Sequence, residues 1–201
     1  MPKNTRAAMI HSAVEVLRER GVGGVTIDAI LARSGSPRGS VYHHFPGGRA
    51  QLITEALEFA GDAIGAIVEG AAAEGSTAIL HEFVRFWRQM LLDSDFTAGC
   101  PVVAVAVGSN DEAPELFDST AGIFQRWWDA LHRAFLGEGL AEDDAGQLAT
   151  MAIASVEGAV VLCRSRRGPQ PLDDVAHQLE LLIDSQRFLS RARRSTSTER
   201  S

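Results

Sequence analysis

Thr26-Ile-Asp-Ala-Ile-Leu-Ala-Arg-Ser-Gly-Ser-Pro-Arg-Gly-Ser-Val-Tyr-His-His-Phe45 decides the reading of this chain. Ile27, Ile30 and Leu31 recur with the spacing of one helix face, and Thr26 stands where a side-chain oxygen can cap the first exposed amides. Gly35 ends that helix. Ser36 is a favoured N-cap and Pro37 a favoured first helical residue, so the order predicts a second helix from there through Phe45, stopped by Pro46. Val41 and Phe45 then face inward. Arg38, Gly39, Ser40, Tyr42, His43 and His44 are left on the outer side and at the N-terminal end, which is the layout of a helix-turn-helix whose second helix meets base edges and phosphates.

The charge distribution fits a local nucleic-acid contact. The 201-residue chain has a formal net charge of −7, yet residues 1–50 carry seven Lys/Arg against three Asp/Glu, and residues 51–201 carry twelve against twenty-three. Only the first quarter is basic, so one end can dock on phosphates while the acidic remainder is repelled. No stretch approaches the roughly 18 uninterrupted apolar residues of a membrane span, and the N-terminus lacks a secretory apolar run. A cytoplasmic protein with no membrane partner is expected. Cys100 and Cys163 are too few and too distant in sequence for a disulfide framework or a zinc knuckle.

Outside the motif the period is helical throughout, and an all-α fold of about nine helices is expected. A first helix spans about residues 4–21, with Ala7, Ile10, Val14 and Leu17 on one face. A long helix over about 49–74 links the basic part to the acidic part. Further helices cover about 76–92, 101–107, 113–136, 142–165 and 172–191. These divide the chain into a three-helix DNA-binding domain (1–48), a helical domain (49–191) expected to carry dimerisation, and a polar tail (192–201) expected to be disordered. The helix at 142–165 is apolar on more than one side and must be covered on more than one side. Pairing it and the helix at 172–191 with the same two helices of a second subunit predicts a four-helix dimer interface.

With the motif on the second and third helices, the chain resembles the TetR family of bacterial transcriptional repressors. Thr26-Ile27, Gly35-Ser36, Gly39-Ser40-Val41-Tyr42 and His44-Phe45 carry the resemblance, and Gly35 through Arg49 is similar to the LmrA/YxaF branch. Ala98-Gly-Cys-Pro-Val102, Glu157-Gly158, Arg164 and Pro171-Leu172 resemble that branch more loosely. The resemblance implies a dimeric repressor that binds a palindromic operator and is released by a small lipophilic effector bound in the helical ligand-binding and dimerisation domain, residues 49–191. It also implies roles. Thr26, Tyr42, His44 and Arg49 resemble residues that hold the phosphate backbone, and Arg38, Gly39 and His43 resemble those nearest base edges, with Ser36, Pro37 and Ser40 completing the DNA-binding set. An arginine can bridge guanine O6 and N7, and a glycine lets the helix start approach the duplex. Where many relatives carry lysine at Arg49 and an aromatic at His43, this chain differs.

Trp87, Met90, Leu91, Cys100, Val103, Phe124, Trp127, Trp128, Leu131, Met151, Ser155 and Glu157 are the candidate effector-lining residues, although an aromatic stripe is more often plain core. Glu157 stands among Ala154, Val156, Ala159 and Val160, where a carboxylate needs either a cationic ligand or an arginine such as Arg126 or Arg133. Neither a metal nor a cofactor is expected: His43 and His44, adjacent on a helix, point about 100° apart. The enzyme alternative is poorly supplied, because the sole lysine is Lys3 and neither a Gly-x-Ser-x-Gly elbow nor a His-Glu-x-x-His pair is present. A redox switch through Cys100 is a further alternative, set against the default use of a lone cysteine as a small buried hydrophobe.

Overall fold

The structure is a computed structural model, and it describes residues 5–108 and 115–198, with the side chains of 115 and 194–198 left aside. Among the described residues there are nine α-helices and no strand: α1 (Thr5–Gly24), α2 (Ile27–Ser34), α3 (Ser40–His44), α4 (Gly48–Ala71), α5 (Ser76–Asp93), α6 (Pro101–Ala106), α7 (Glu115–Gly137), α8 (Glu142–Arg166) and α9 (Gln170–Thr198). A single 3-10 turn, Ala72–Glu74, follows α4. The all-α expectation holds. Of the expected tail, residues 192–198 continue α9, and 199–201 lie outside the described residues, as do 113 and 114 at the start expected for the seventh helix.

The chain forms two compact units, one of residues 1–63 with 97–123 and one of 64–96 with 124–201. In the first unit, α1 packs on α2 and α6. Met9, Ala13, Val16 and Leu17 of α1 are buried along with Val25, Ile30, Val41, Phe45 and the α4 residues Leu52, Ile53, Ala56 and Leu57. The regular helix of α1 breaks at Gly21, as the sequence predicts, where the glycine adopts φ 68° and ψ −172°, and a short helical stretch follows it to Gly24. Further along α4, a Cβ on Gly61 would lie 2.7 Å from the Ile123 side chain, so the missing side chain sets a close approach of α4 and α7.

In the second unit, α8 packs on α9 and both meet α5. Its interior is aromatic: Phe83 lies edge-on to Trp87 and Trp127 at 6.0 and 6.1 Å between ring centroids, and Phe124 is edge-on to Trp127 at 5.4 Å. A half-buried polar cluster borders this apolar interior. The Glu138 carboxylate accepts from the Ser76 amide (2.7 Å) and hydroxyl (2.9 Å), capping the start of α5 from the turn that follows α7, and also accepts from Arg187 Nε and Nη2 on α9, each at 2.8 Å. Burial works to raise the Glu138 carboxyl, but the hydrogen bonds from Arg187 and Ser76 outweigh it and leave it below the ordinary carboxylate value.

By length and composition α8 alone among the described helices is apolar enough to cross a membrane, a property its uninterrupted-run reading does not reveal. Its inward side, including Leu148, Ala152, Val156 and Val160, is buried, while Met151, Val161 and Leu162 are exposed.

Candidate nucleic-acid interface

The first helix of the motif begins as the sequence requires. Thr26 is extended, and its hydroxyl oxygen accepts the Ala29 amide at 3.1 Å. Gly35 closes α2 in the left-handed region (φ 65°, ψ 22°), its amide donating to the Leu31 carbonyl at 3.0 Å; a side chain there would be strained. Two arms hold this helix on α1. Arg33 grips Glu19 through both guanidinium ends, at 2.6 and 2.8 Å, and that hydrogen-bonded pairing lowers the Glu19 carboxyl pKa.

The second helix is shorter than expected. Ser36 and Pro37 do not begin it: the Ser40 amide donates to the Pro37 carbonyl at 3.0 Å, making a turn over 37–40, and α3 proper starts at Ser40 with Gly39 as its cap. The physical reason is local. Arg38-Gly39 supplies a weak helix former directly after the proline, and the Ser40 hydroxyl donates to the same Pro37 carbonyl at 2.6 Å, which favours the tight turn over a further α-helical one. The Ser36 amide instead donates to Ser34 Oγ at 3.3 Å.

Val41 and Phe45 anchor α3 with no exposed surface. Arg6 of α1 lies over the Phe45 ring, 5.3 Å from its centroid, and pairs with Glu55 of α4. On the opposite side Arg38, Gly39, Tyr42 and His43 are exposed, and Tyr42 keeps 64% of its surface open. His44 is half-buried between neighbouring rings, edge-on to His43 at 5.0 Å and to Phe45 at 6.5 Å. Among the described residues no group of three or more His, Cys, Asp or Glu side chains is placed to hold a metal.

Arg49 departs from the role its position implies. Its side chain turns inward: Nε donates to the Val25 carbonyl at 2.6 Å and Nη2 to the Val22 carbonyl at 2.8 Å. The end of α1 leaves carbonyls without helical partners, and a cation there both satisfies them and complements the helix dipole. Arg49 thus fixes the connection between α1 and α2. Arg18 was not singled out by the sequence, yet it is buried in the same unit, donating from Nε to the Gly99 carbonyl (3.3 Å) while its own carbonyl accepts the Gly99 amide (3.0 Å). Burial lowers its pKa. Nothing in its position on α1 separates it from exposed Arg20 except its place on the buried face.

The candidate effector residues divide between the units. Trp127 and Leu131 line a small cavity of about 20 Å³ in the second unit, together with residues outside the candidate effector set, among them Val68, Phe83, Phe135, Val156 and Ile183. Such a space holds about one water. Ser76 is the polar residue of that lining, and its groups are engaged by Glu138. Trp87, Leu91 and Glu157 are buried nearby in sequence without forming the wall, and Met90, Phe124 and Ser155 are half-buried. Met151 is 51% exposed, and Trp128 ties α7 to α8 by donating to Thr150 Oγ1 at 3.0 Å and to the Gly146 carbonyl at 3.2 Å. Cys100 and Val103 belong to the first unit. Both cysteines are buried free thiols, and burial pushes the Cys163 thiol pKa up, away from the reactive thiolate.

The comparisons agree with this geometry. Residues 9–56 match the description "Bacterial regulatory proteins, tetR family", and residues 76–178 match "Transcriptional regulator LmrA/YxaF-like, C-terminal domain". The chain is 42% identical over 184 residues to the HTH-type transcriptional regulator Rv0196 of Mycobacterium tuberculosis, covering 89% of this chain and 93% of that one. It is 27% identical to the HTH-type transcriptional regulator LmrA of Bacillus subtilis, covering 84% and 91% of the two chains. Among solved structures, a TetR transcriptional regulator from Legionella pneumophila superposes with a TM-score of 0.83 at 18% identity, covering 91% of this chain and 100% of the other. The regulator CifR, solved as a cysteine mutant with 26 bp double-strand operator DNA, superposes with a TM-score of 0.69 at 21% identity, covering 86% and 93%. The chain therefore belongs to the TetR family of bacterial regulatory proteins, in its LmrA/YxaF-like group, and is a helix-turn-helix transcriptional regulator that binds DNA.

Proposed function

We propose that this regulator is a repressor that binds a palindromic operator as a dimer and leaves it when a small lipophilic effector enters the helical body. Residues 1–48 act as the DNA-binding domain and 49–191 as the effector-binding and dimerisation domain, in the cytoplasm. The observation that carries the reading is the exposed face of the motif, where Arg38, Gly39, Tyr42 and His43 stand open on a helix whose other side is anchored by Val41 and Phe45. Arg38 and His43 read base edges; Tyr42, His44 and the Thr26 hydroxyl, which still has a proton to donate, hold phosphates. Ser36, Pro37 and Ser40 shape the turn that brings Arg38 to the groove.

Dimerisation is supported by what α8 and α9 leave uncovered. Met151, Val161 and Leu162 on α8, with Leu181, Phe188 and Leu189 on α9, are 46–71% exposed, and Ala154 and Gly158 lie open between the first three. Small residues between larger ones let a second helix pair approach closely, and a second copy of this chain presents the same surface about a two-fold axis. Two motifs then face two half-sites one helical turn apart, about 34 Å.

The cavity supports the choice of effector. Its lining is apolar apart from Ser76, whose groups are already engaged, so a lipophilic molecule is favoured over a polar one. In the form seen it holds little more than a water. A ligand must therefore bind a different arrangement of α5, α7, α8 and α9 better than this one, which is the condition for a population shift. Because α4 runs on from the motif toward Val68 in the cavity wall, a tilt of α4 would alter the spacing of the recognition helices. A gel shift of the full-length protein on its own upstream DNA tests the reading. Binding weakened severalfold or more by Arg38→Ala and by Tyr42→Ala supports it; no retention of any palindromic duplex at low salt sinks it.

A further inference from the structure

We infer that Asp28 is a positioning residue for base recognition, holding one edge of the Arg38 guanidinium so that the other edge is presented to a guanine. The inference rests on the reading of Arg38 as a base contact. Asp28 Oδ1 lies 3.0 Å from Arg38 Nη1, joining the first turn of α2 to the turn that leads into α3. The two side chains are 73% and 77% exposed, and in water such a pair adds little to stability. Its significance lies in where it sits. A guanidinium offers five N–H donors in a fixed fork. With Nη1 committed to Asp28, the Nε and Nη2 edge is left free, and that edge matches guanine O6 and N7.

Arg38 is otherwise long and exposed, attached beside Gly39 in a turn rather than in a helix. Unheld, it would sample phosphates as readily as bases, and contacts to phosphates carry no sequence information. Asp28 restrains it at the moment when ordering a flexible side chain opposes binding. The carboxylate also carries a cost. An acid on the motif repels the duplex unless it is neutralised, so Asp28 lowers attraction to DNA of any sequence while sharpening the choice of one base pair. An acid that only stabilised α2 through its dipole would repel the duplex as well, but it would not sharpen the choice of a base pair.

The test uses full-length protein, a pool of randomised duplexes, and sequencing of the bound fraction for the wild type, Asp28→Asn, Asp28→Glu, Arg38→Ala and the Asp28→Asn/Arg38→Ala double variant. Arg38→Ala is expected to erase a guanine preference at one position of each half-site. Asp28→Asn is expected to reduce that same preference about tenfold, the scale of a well-placed bidentate contact, while raising affinity for unselected duplex and leaving other positions unchanged. The double variant should match Arg38→Ala, and Asp28→Glu, which keeps the charge, should restore much of the preference. If Arg38→Ala erases the preference and Asp28→Asn leaves it intact, the inference fails while the reading of Arg38 stands. A changed preference at a different base pair overturns it too, since Asp28 would then read a base itself. If the wild type enriches no sequence, or Arg38→Ala changes none, the reading of Arg38 falls and the inference with it.

Discussion

The motif helices and the body helices are held by different forces. α2 and α3 bury one side chain each, Ile30 and Val41, whereas α8 buries a whole face from Ala145 to Cys163. Two short helices with so little apolar contact depend on directed polar interactions: the Thr26 cap, the Gly35 stop, Arg33 on Glu19, and Arg49 on the carbonyls of Val22 and Val25. The body depends on area, with aromatic rings packed edge to face and a half-buried polar clamp at its edge. Polar contacts fix orientation well and contribute modestly to free energy; apolar burial does the reverse. A surface that must present Arg38 and Tyr42 at set positions needs orientation. On the proposed reading the body opens around a ligand, and that needs a core whose packing has an alternative.

The comparison breaks most readily in the body. Trp127→Ala removes a ring that is 1% exposed and lines the cavity, and it should cost about 3–5 kcal/mol, read as a lowered urea midpoint. A loss below about 1 kcal/mol would mean that the aromatic cluster is not the main support. Glu138→Gln comes next. It weakens two hydrogen bonds to Arg187 and removes the charge between them, at a cost of about 1.5–3 kcal/mol near neutral pH. Because the folded-state pKa of Glu138 is depressed, its stabilisation is complete above the ordinary carboxylate value and is lost as pH falls through the lowered one. Wild type and Glu138→Gln should therefore converge in stability in acid. Parallel curves over the whole range would show that the clamp does not titrate as a unit.

The same division explains what could be read from the chain. Periodicity is a signal of apolar area, so the long helices and the stripes of α4, α5 and α7 stand out; the α5 helix expected at about 76–92 is Ser76–Asp93. Caps are local in sequence, and Thr26 and Gly35 were legible for that reason. What escaped was polar and distant. Arg49 looks like any arginine after a Pro-Gly-Gly turn, and nothing short of the fold reveals that it reaches back to Val22 and Val25. Glu138 and Arg187 stand 49 residues apart and meet only when the turn after α7 comes against α9. α3 starts at Ser40 rather than at the Ser36-Pro37 signal because that signal is weaker than the tight turn closed by Ser40.

The smallest expected effect is the sharpest test of the motif side. Thr26→Ala deletes the oxygen that accepts the Ala29 amide and should lower stability by about 1 kcal/mol. Thr26→Ser keeps that oxygen and should lose little. Thermal unfolding separates them, and the two variants can then be compared on DNA. If the hydroxyl serves only as a cap, operator affinity should follow stability, and at a temperature where both variants are fully folded they should bind alike. If it also donates to a phosphate, Thr26→Ala should bind more weakly than Thr26→Ser under those conditions, by a factor that is the same for all sequences, because a phosphate contact carries no base information. A sequence-dependent difference would instead mean that fraying of α2 displaces Asp28 and, through it, Arg38. The cap and the base contact would then be one mechanical unit, which is what a motif built on polar restraints rather than on buried area is expected to be.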